Sequence, residues 1–327
     1  MPGKPYQSKL LPFEEEVFAL RRKGTSYRKI AKWLREQHGL NVTHNAVFSF
    51  VKCRHPHGGT RGLFYHGLDQ DLRDQLLKRI VAEWTHDSTA IEGNTLTLGE
   101  TTKILALGLT IEGKPLREHL EVYGHARAIE LVYGMIESPA LSEEDLYVLH
   151  RAVMPQSPVD VLSPIGAWKR DYNGTTGVAD GKTVYLEYAR PDDVPILMQR
   201  WLDDFNGMHV ARAHPRSALK AYVRAHMVFV RVHPFFDGNG RVARLIANLP
   251  VIRSGFPPVV VPAERRADYI DLLWQYQSTV GTIKRGSRLL PPHPAIRQFE
   301  ELLRQGWQTT VAMVEEARQR QAQRDEA

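Results

Sequence analysis

The 327 residues are more than one ordinary core organises, so two domains are the starting expectation. Hydrophobic residues make up 43% and charged residues 24%, a soluble globular balance, and no run of about 18 apolar residues is present to span a membrane. Cys53 is the only cysteine, which excludes a disulfide framework and a cysteine-built zinc site.

The start, Met1-Pro2-Gly3-Lys4, lacks the apolar stretch of a secretory signal, so a cytoplasmic location with no membrane partner is expected. Residues 1–62 hold 12 Lys/Arg against 4 Asp/Glu, and the other 265 hold 31 against 33. The whole formal excess of +6 therefore originates in the N-terminal fifth. Such asymmetry points to a polyanion or an acidic partner there, against the plain alternative of a solvated basic surface.

Residues 1–12 are polar and carry Pro2, Pro5 and Pro12, a loose lead-in. Over 13–22, Phe13, Val17 and Leu20 recur at helical spacing. Ser26 caps a second helix that buries Ile30, Ala31 and Leu34 and ends near Gln37. His38-Gly39 turns the chain, and Thr43 caps a third helix carrying Val47, Phe50 and Val51. Two short helices across a tight Gly turn resemble a helix-turn-helix, whose last helix would offer His44, Asn45 and Ser49 to a DNA groove. Small three-helix bundles also take this form for protein docking or for structure alone. Arg28, Lys29, Lys52 and Arg54 are the side chains a DNA role would use.

Residues 55–60 read as a linker, so 1–62 is expected to form a basic domain of its own. Beyond it, three- and four-residue apolar spacing marks helices over 69–85, 98–107, 115–136, 142–152, 191–206, 215–231, 241–254 and 264–279. Residues 174–188 differ: Val184, Leu186 and Tyr188 alternate with Tyr185 and Glu187, which reads as an inserted β-hairpin. After Pro291-Pro292-His293-Pro294, residues 296–324 form a charged amphipathic helix, suited to packing back or to pairing two chains as a homodimer.

The chemistry concentrates in His233-Pro234-Phe235-Phe236-Asp237-Gly238-Asn239-Gly240-Arg241-Val242-Ala243-Arg244. Pro234, Gly238 and Gly240 interrupt helix, so a loop re-enters helix near Arg241. Gly238 and Gly240 let backbone approach a phosphate, and the helix start beyond them is an anion site. Arg241 and Arg244, three apart, are placed to clamp phosphate oxygens from one side. Asp237 supplies a hard oxygen for Mg²⁺ shared with phosphates. His233 accepts a proton near neutral pH. A lone His, an Asp-Gly turn or a Gly-rich loop is each commonly structural; base, metal ligand, anion loop and two arginines within twelve residues suit transfer from a nucleoside triphosphate. No Gly-x-x-x-x-Gly-Lys-(Ser/Thr) and no His-Glu-x-x-His are present, which disfavours P-loop ATPases and zinc peptidases.

His233 to Arg244 resembles the Fic motif His-Pro-Phe-x-(Asp/Glu)-Gly-Asn-Gly-Arg-x-x-Arg at every specified position, and the resemblance extends over roughly 69–280. It implies a mainly α fold, a Fic-type helical core with a small β-hairpin flap, here over 63–290. It also implies a protein adenylyltransferase using ATP and Mg²⁺, with His233 as general base and Asp237 on Mg²⁺. Asn239 and the Gly238 and Gly240 amides would hold the α- and β-phosphates, Arg241 a phosphate and Arg244 the γ-phosphate. The acceptor would be a Ser, Thr or Tyr hydroxyl of a target protein, the chain itself included. The retained Gly-Asn-Gly favours AMP transfer over the kinase branch of the family. The hairpin around 183–188 resembles the family's flap, which binds the target as an added strand; an ordinary surface hairpin is the alternative. Gly166-Ala167-Trp168-Lys169-Arg170 resembles the Gly-x-x-Arg lead-in with one extra residue before Arg170. Tyr269 and Leu273 are candidates for the base pocket or for the core, Leu273 rather for the core.

Upstream, Ser88-Thr89-Ala90-Ile91-Glu92-Gly93-Asn94 resembles the family's inhibitory pattern (Ser/Thr)-x-x-x-Glu-(Gly/Asn), with Ser88, Glu92 and Gly93 at its specified positions. Ser88 and Glu92 lie one helical turn apart, and Gly93 stops the helix. A carboxylate there can pair with Arg244 and put negative charge where ATP must sit. A surface glutamate at a helix cap is the alternative for so short a pattern. In some relatives the same Glu supports AMP removal, so the direction stays open. A DNA-binding regulator that uses the body as a nucleotide sensor or partner module is the competing reading from another class.

Overall fold

The computed structural model describes residues 9–22, 25–54, 62–138, 140–154, 163–179, 181–208 and 214–326. The expected linker at 55–60 lies outside them. Near the N-terminus come α1 (Glu14–Arg22), α2 (Tyr27–His38) and α3 (His44–Arg54). The body follows with α4 (Gln70–Ile91), α5 (Leu98–Leu107), α6 (Leu116–Gly134) and α7 (Glu143–Val153). An antiparallel hairpin, β1 (Gly174–Ala179) with β2 (Lys182–Glu187), pairs Gly174 with Glu187 through Ala179 with Lys182. Then come α8 (Val194–Asn206), α9 (Pro215–Val232), α10 (Asn239–Ile246), α11 (Asn248–Arg253), α12 (Arg266–Val280) and α13 (Pro294–Asp325). The architecture is a mainly α helical core with one small open hairpin and a cluster of N-terminal helices. Among the described residues, no helix is long and apolar enough to cross a membrane.

Local chemistry sets many of the boundaries. Ser26 Oγ accepts from the Lys29 N–H at 3.3 Å and starts α2. Thr97 with Glu100, and Ser142 with Asp145, form reciprocal capping boxes on α5 and α7. α9 is the centre of the body. Ala218, Tyr222, Ala225, Val228, Phe229 and Val232 are all fully buried, and α8, α10, α11 and α13 surround it.

Two boundaries differ from the apolar pattern. The single helix expected over 241–254 breaks at Ala247, because Pro250 has no N–H to offer the Ile246 carbonyl. Asn248 steadies the break, donating to the Arg244 and Val259 carbonyls at 3.1 and 2.9 Å. α4 continues to Ile91, past the last regular apolar spacing at 85. Asp87, Ser88 and Thr89 are polar yet buried, and the Thr89 hydroxyl donates to the Thr85 carbonyl at 2.8 Å.

The first three helices share the body's core. Tyr27 meets Phe48 edge to face at 5.3 Å, Arg127 lies over Phe48, and Arg21 donates to Ser138 Oγ at 2.8 Å. α13 packs against α4, α9 and α12 and buries Phe299, Leu303 and Trp307. The apolar face considered for pairing two chains is thus covered within the chain.

Candidate active site

The α9–α10 loop, the end of α4, β1 and α12 enclose a cleft of about 580 Å³. His233 ends α9 with φ 54°, a left-handed conformation rare outside glycine, held by its N–H on the Phe229 carbonyl at 2.9 Å. Its Nδ1 donates to the Val230 carbonyl at 3.1 Å, which leaves Nε2 with a lone pair. Tyr188, just past β2, stacks on the imidazole at 3.7 Å with the rings nearly parallel. Burial pulls the His233 pKa down to about 3; the Val230 carbonyl opposes this, Lys169 adds to it, and Glu92 opposes it.

The loop beyond His233 is braced from inside. Asn239 Oδ1 accepts from the Phe235 N–H at 2.9 Å, and its Nδ2 donates to the Phe235 carbonyl at 2.8 Å. The Asn239 side chain therefore shapes the loop, leaving its backbone for a ligand. Gly238 adopts φ 75°, and a Cβ there would crowd Met154 and His150. The amides of Asn239, Gly240 and Arg241 head α10, with no helical carbonyl a turn before them. A Cβ on Gly240 would lie 2.6 Å from Glu92 Oε1, so this backbone passes directly beside the carboxylate.

Asp237 is exposed at the cleft. Its Oδ1 accepts from the Gly238 N–H at 2.6 Å, and its Oδ2 lies 3.6 Å from Arg241. Among the described residues no group of three His, Cys, Asp or Glu could hold a metal alone. One exposed carboxylate beside an anion loop fits Mg²⁺ completed by phosphate oxygens.

The two arginines diverge rather than pointing one way. Arg241 turns toward the end of α7 and donates to the Val153 carbonyl at 3.1 Å. Arg244 turns toward α4 and α12. It donates through Nε to Ser88 Oγ at 3.0 Å, through Nη2 to the Ser88 carbonyl at 2.9 Å and to Glu92 Oε1 at 2.6 Å, and through Nη1 to the Tyr269 hydroxyl at 3.2 Å. Glu92 caps α4, and Gly93 turns the chain beyond it with φ 100°. Burial pushes the Glu92 carboxyl up, but the charge and hydrogen bond of Arg244 outweigh it and hold the pKa below its ordinary value.

The Gly166 lead-in contributes through the residue before Arg170, which the sequence pattern did not single out. Lys169, not Arg170, is buried; its N–H donates to the Pro234 carbonyl at 2.9 Å, and its ammonium group bonds Asn173 Oδ1. Asn173 Nδ2 in turn donates to the Phe235 and Phe236 carbonyls at 2.9 and 3.0 Å. The Lys169-x-x-x-Asn173 spacing was the available signal. His150 was also missed. It accepts from the Gly166 N–H at 2.9 Å and donates to the Asp237 carbonyl at 3.1 Å, joining the lead-in to the loop at Asp237. Tyr269 is a buried residue, 3% exposed, that nonetheless presents its hydroxyl to Arg244.

Residues 140–251 match the sequence model of the Fic/DOC family. The chain is 37% identical over 226 residues to protein adenylyltransferase fic-1 of Caenorhabditis briggsae, covering 66% of this chain and 41% of that protein. It thus spans less than half the length of the curated relatives it matches first. Among solved structures, a segment of Fic-1 from Caenorhabditis elegans aligns with TM-score 0.56 and 26% identity over 95% of this chain and 78% of that one. A Fic-domain signalling protein from Bacteroides thetaiotaomicron shares the fold at TM-score 0.63 and 24% identity, over 76% of this chain and 93% of its own.

Proposed function

We propose, for a chain whose body is homologous to the Fic-domain adenylyltransferases, that it transfers AMP from ATP to a hydroxyl of a protein side chain and is restrained by its own Glu92. The supporting observation is the convergence, in one cleft, of His233, the loop heading α10 and Arg244, with Glu92 seated on that arginine. His233 Nε2, its lone pair fixed by the Val230 hydrogen bond, takes the proton of a Ser, Thr or Tyr hydroxyl. The freed oxygen bonds to the α-phosphorus, the bond from that phosphorus to the β-bridging oxygen breaks, and pyrophosphate leaves. The amides of Asn239, Gly240 and Arg241 neutralise the phosphates as charge shifts, and Arg244 reaches the γ-phosphate. Asp237 would hold Mg²⁺, which supplies charge neutralisation on the α- and β-phosphates.

In the resting chain Glu92 occupies Arg244 and adds negative charge beside Gly240. ATP then meets a filled subsite and a repelling carboxylate. The same carboxylate is placed to orient a water, so AMP removal is the reverse reading of this site. The test uses ATP labelled on the α-phosphate with Mg²⁺ and cell extract. Strong protein labelling by Glu92→Gly that is lost in Glu92→Gly/His233→Ala is the expected result; bound nucleotide without covalent label in any form would sink the transfer reading.

A second reading concerns the N-terminal helices. Of the four side chains a DNA role would use, Lys52 and Arg54 lie outside those described, while Arg28 and Lys29 are exposed along α2 beside Lys32 and Arg35, which supports contact with DNA or another polyanion. Reversing the four charges on α2 should abolish salt-sensitive DNA retention and leave His233-dependent labelling intact; retention unchanged by the reversal would dismiss this reading.

A further inference from the structure

The Arg244 side chain makes four hydrogen bonds within the chain, and three of them go to α4 and its cap, Glu92. The fourth goes to the Tyr269 hydroxyl on α12. Tyr269 is thus the anchor of Arg244 that does not belong to the inhibitory helix. Its oxygen accepts from Arg244 Nη1, so its own proton needs an acceptor elsewhere. Among the described residues, the remaining hydrogen-bond partner of this hydroxyl is His226 Nε2, 2.9 Å away and fully buried on α9. The direction that satisfies the hydroxyl runs Arg244 to Tyr269 and Tyr269 to His226, with the His226 proton on Nδ1, a buried atom without a partner among the described residues. Burial and the charge of Arg244 pull the His226 pKa down to about 3, so the ring stays neutral and able to accept.

We infer that Tyr269, oriented by His226, is a positioning residue that holds the Arg244 guanidinium toward the cleft once Glu92 has withdrawn, so that the γ-phosphate site is already formed when ATP arrives. The inference rests on the γ-phosphate role proposed for Arg244. Its physical basis is the geometry of the guanidinium. Nη1 lies beside Gly240, where an added Cβ would come within 3.0 Å of it, so the cleft edge of the fork faces the anion loop. Release of Glu92 frees an Nη2 proton on that edge. Without Tyr269 the Ser88 bonds would still hold Nε and Nη2, but Nη1 would be unheld at the cleft edge, and ordering the fork would cost entropy each time it bound a phosphate. The Tyr269 bond, formed in the protein interior to a charged donor, keeps that ordering in place beforehand.

The test measures Kd of ATP and ADP, with Mg²⁺, in a Glu92→Gly/His233→Ala parent that cannot turn over. Tyr269→Phe in that parent should weaken ATP about tenfold, the scale of one hydrogen bond to a charged group, and leave ADP within about twofold. His226→Leu should copy this pattern and His226→Gln, which retains an acceptor, should restore ATP affinity. Equal weakening of ATP and ADP would mean general damage to the cleft and would overturn the inference. So would unchanged ATP affinity in a parent that prefers ATP to ADP. A parent that binds ATP and ADP alike would remove the γ-phosphate role of Arg244 itself, and this inference with it.

Discussion

His233 must be neutral to take a proton, and its environment decides the pH at which it is. A folded-state pKa depressed to about 3 keeps the ring unprotonated well below its ordinary value of about 6.5. Labelling by the Glu92→Gly variant should therefore hold steady from pH 7.5 to 5.5. Loss of half the rate near pH 6.5 would show an imidazole titrating as in water. Lys169 has a matching consequence for stability. Burial pulls its pKa down to about 7, against 10.5 when exposed. Between those values the unfolded chain binds the extra proton, so this lysine's contribution to stability is present above pH 10.5 and is lost as pH falls toward 7. Lys169→Met removes the titration. Its melting temperature relative to wild type should fall as pH rises from 7 to 10; a constant offset would contradict the buried-charge account. The types and spacing of these residues were visible in the sequence. Which groups surround them was not, since Lys169 lies 64 positions before His233.

At the scale of elements, the hairpin and α12 form the far wall of the cleft. Gly177 of β1 lies against the Trp274 ring so closely that a Cβ would come within 2.5 Å of it. Gly177→Ala should push β1 off α12 and lower labelling by the Glu92→Gly variant by about tenfold, in line with the cost of overpacking a rigid ring. Trp274→Ala added to it should recover a large part of the loss; no recovery would mean that the contact does not set the hairpin's position. Alternation announced this hairpin, and helical spacing announced most of the helices. The run to Ile91 in α4 was less visible, because Asp87, Ser88 and Thr89 look like solvent-facing residues until other helices cover them.

At the scale of the whole molecule, α13 closes the body. Trp307 is 4% exposed, and its indole N–H donates to the Pro257 carbonyl at 2.8 Å. Trp307→Ala should cost about 3–5 kcal/mol in urea unfolding, from lost burial and an unfilled cavity. A loss below about 1 kcal/mol would show that the helix can leave without disturbing the core. α13 also reaches α4 through Arg79 with Glu316 at 2.7 Å, on the helix that carries Glu92. The amphipathic pattern of 296–324 was plain, yet it did not say whether that face met this chain or another.

The sequence by itself determined the helical class, the hairpin, many of the caps and the twelve-residue motif with its loop, because each depends on side chains close to one another along the chain. Only the tertiary structure decided that Arg241 and Arg244 diverge, that Tyr188 covers His233, that Lys169 and Asn173 brace the loop, and that Tyr269 and His226 stand behind Arg244. Those pairings join residues from 25 to 156 positions apart. They follow from how whole helices pack, which no local period or cap encodes.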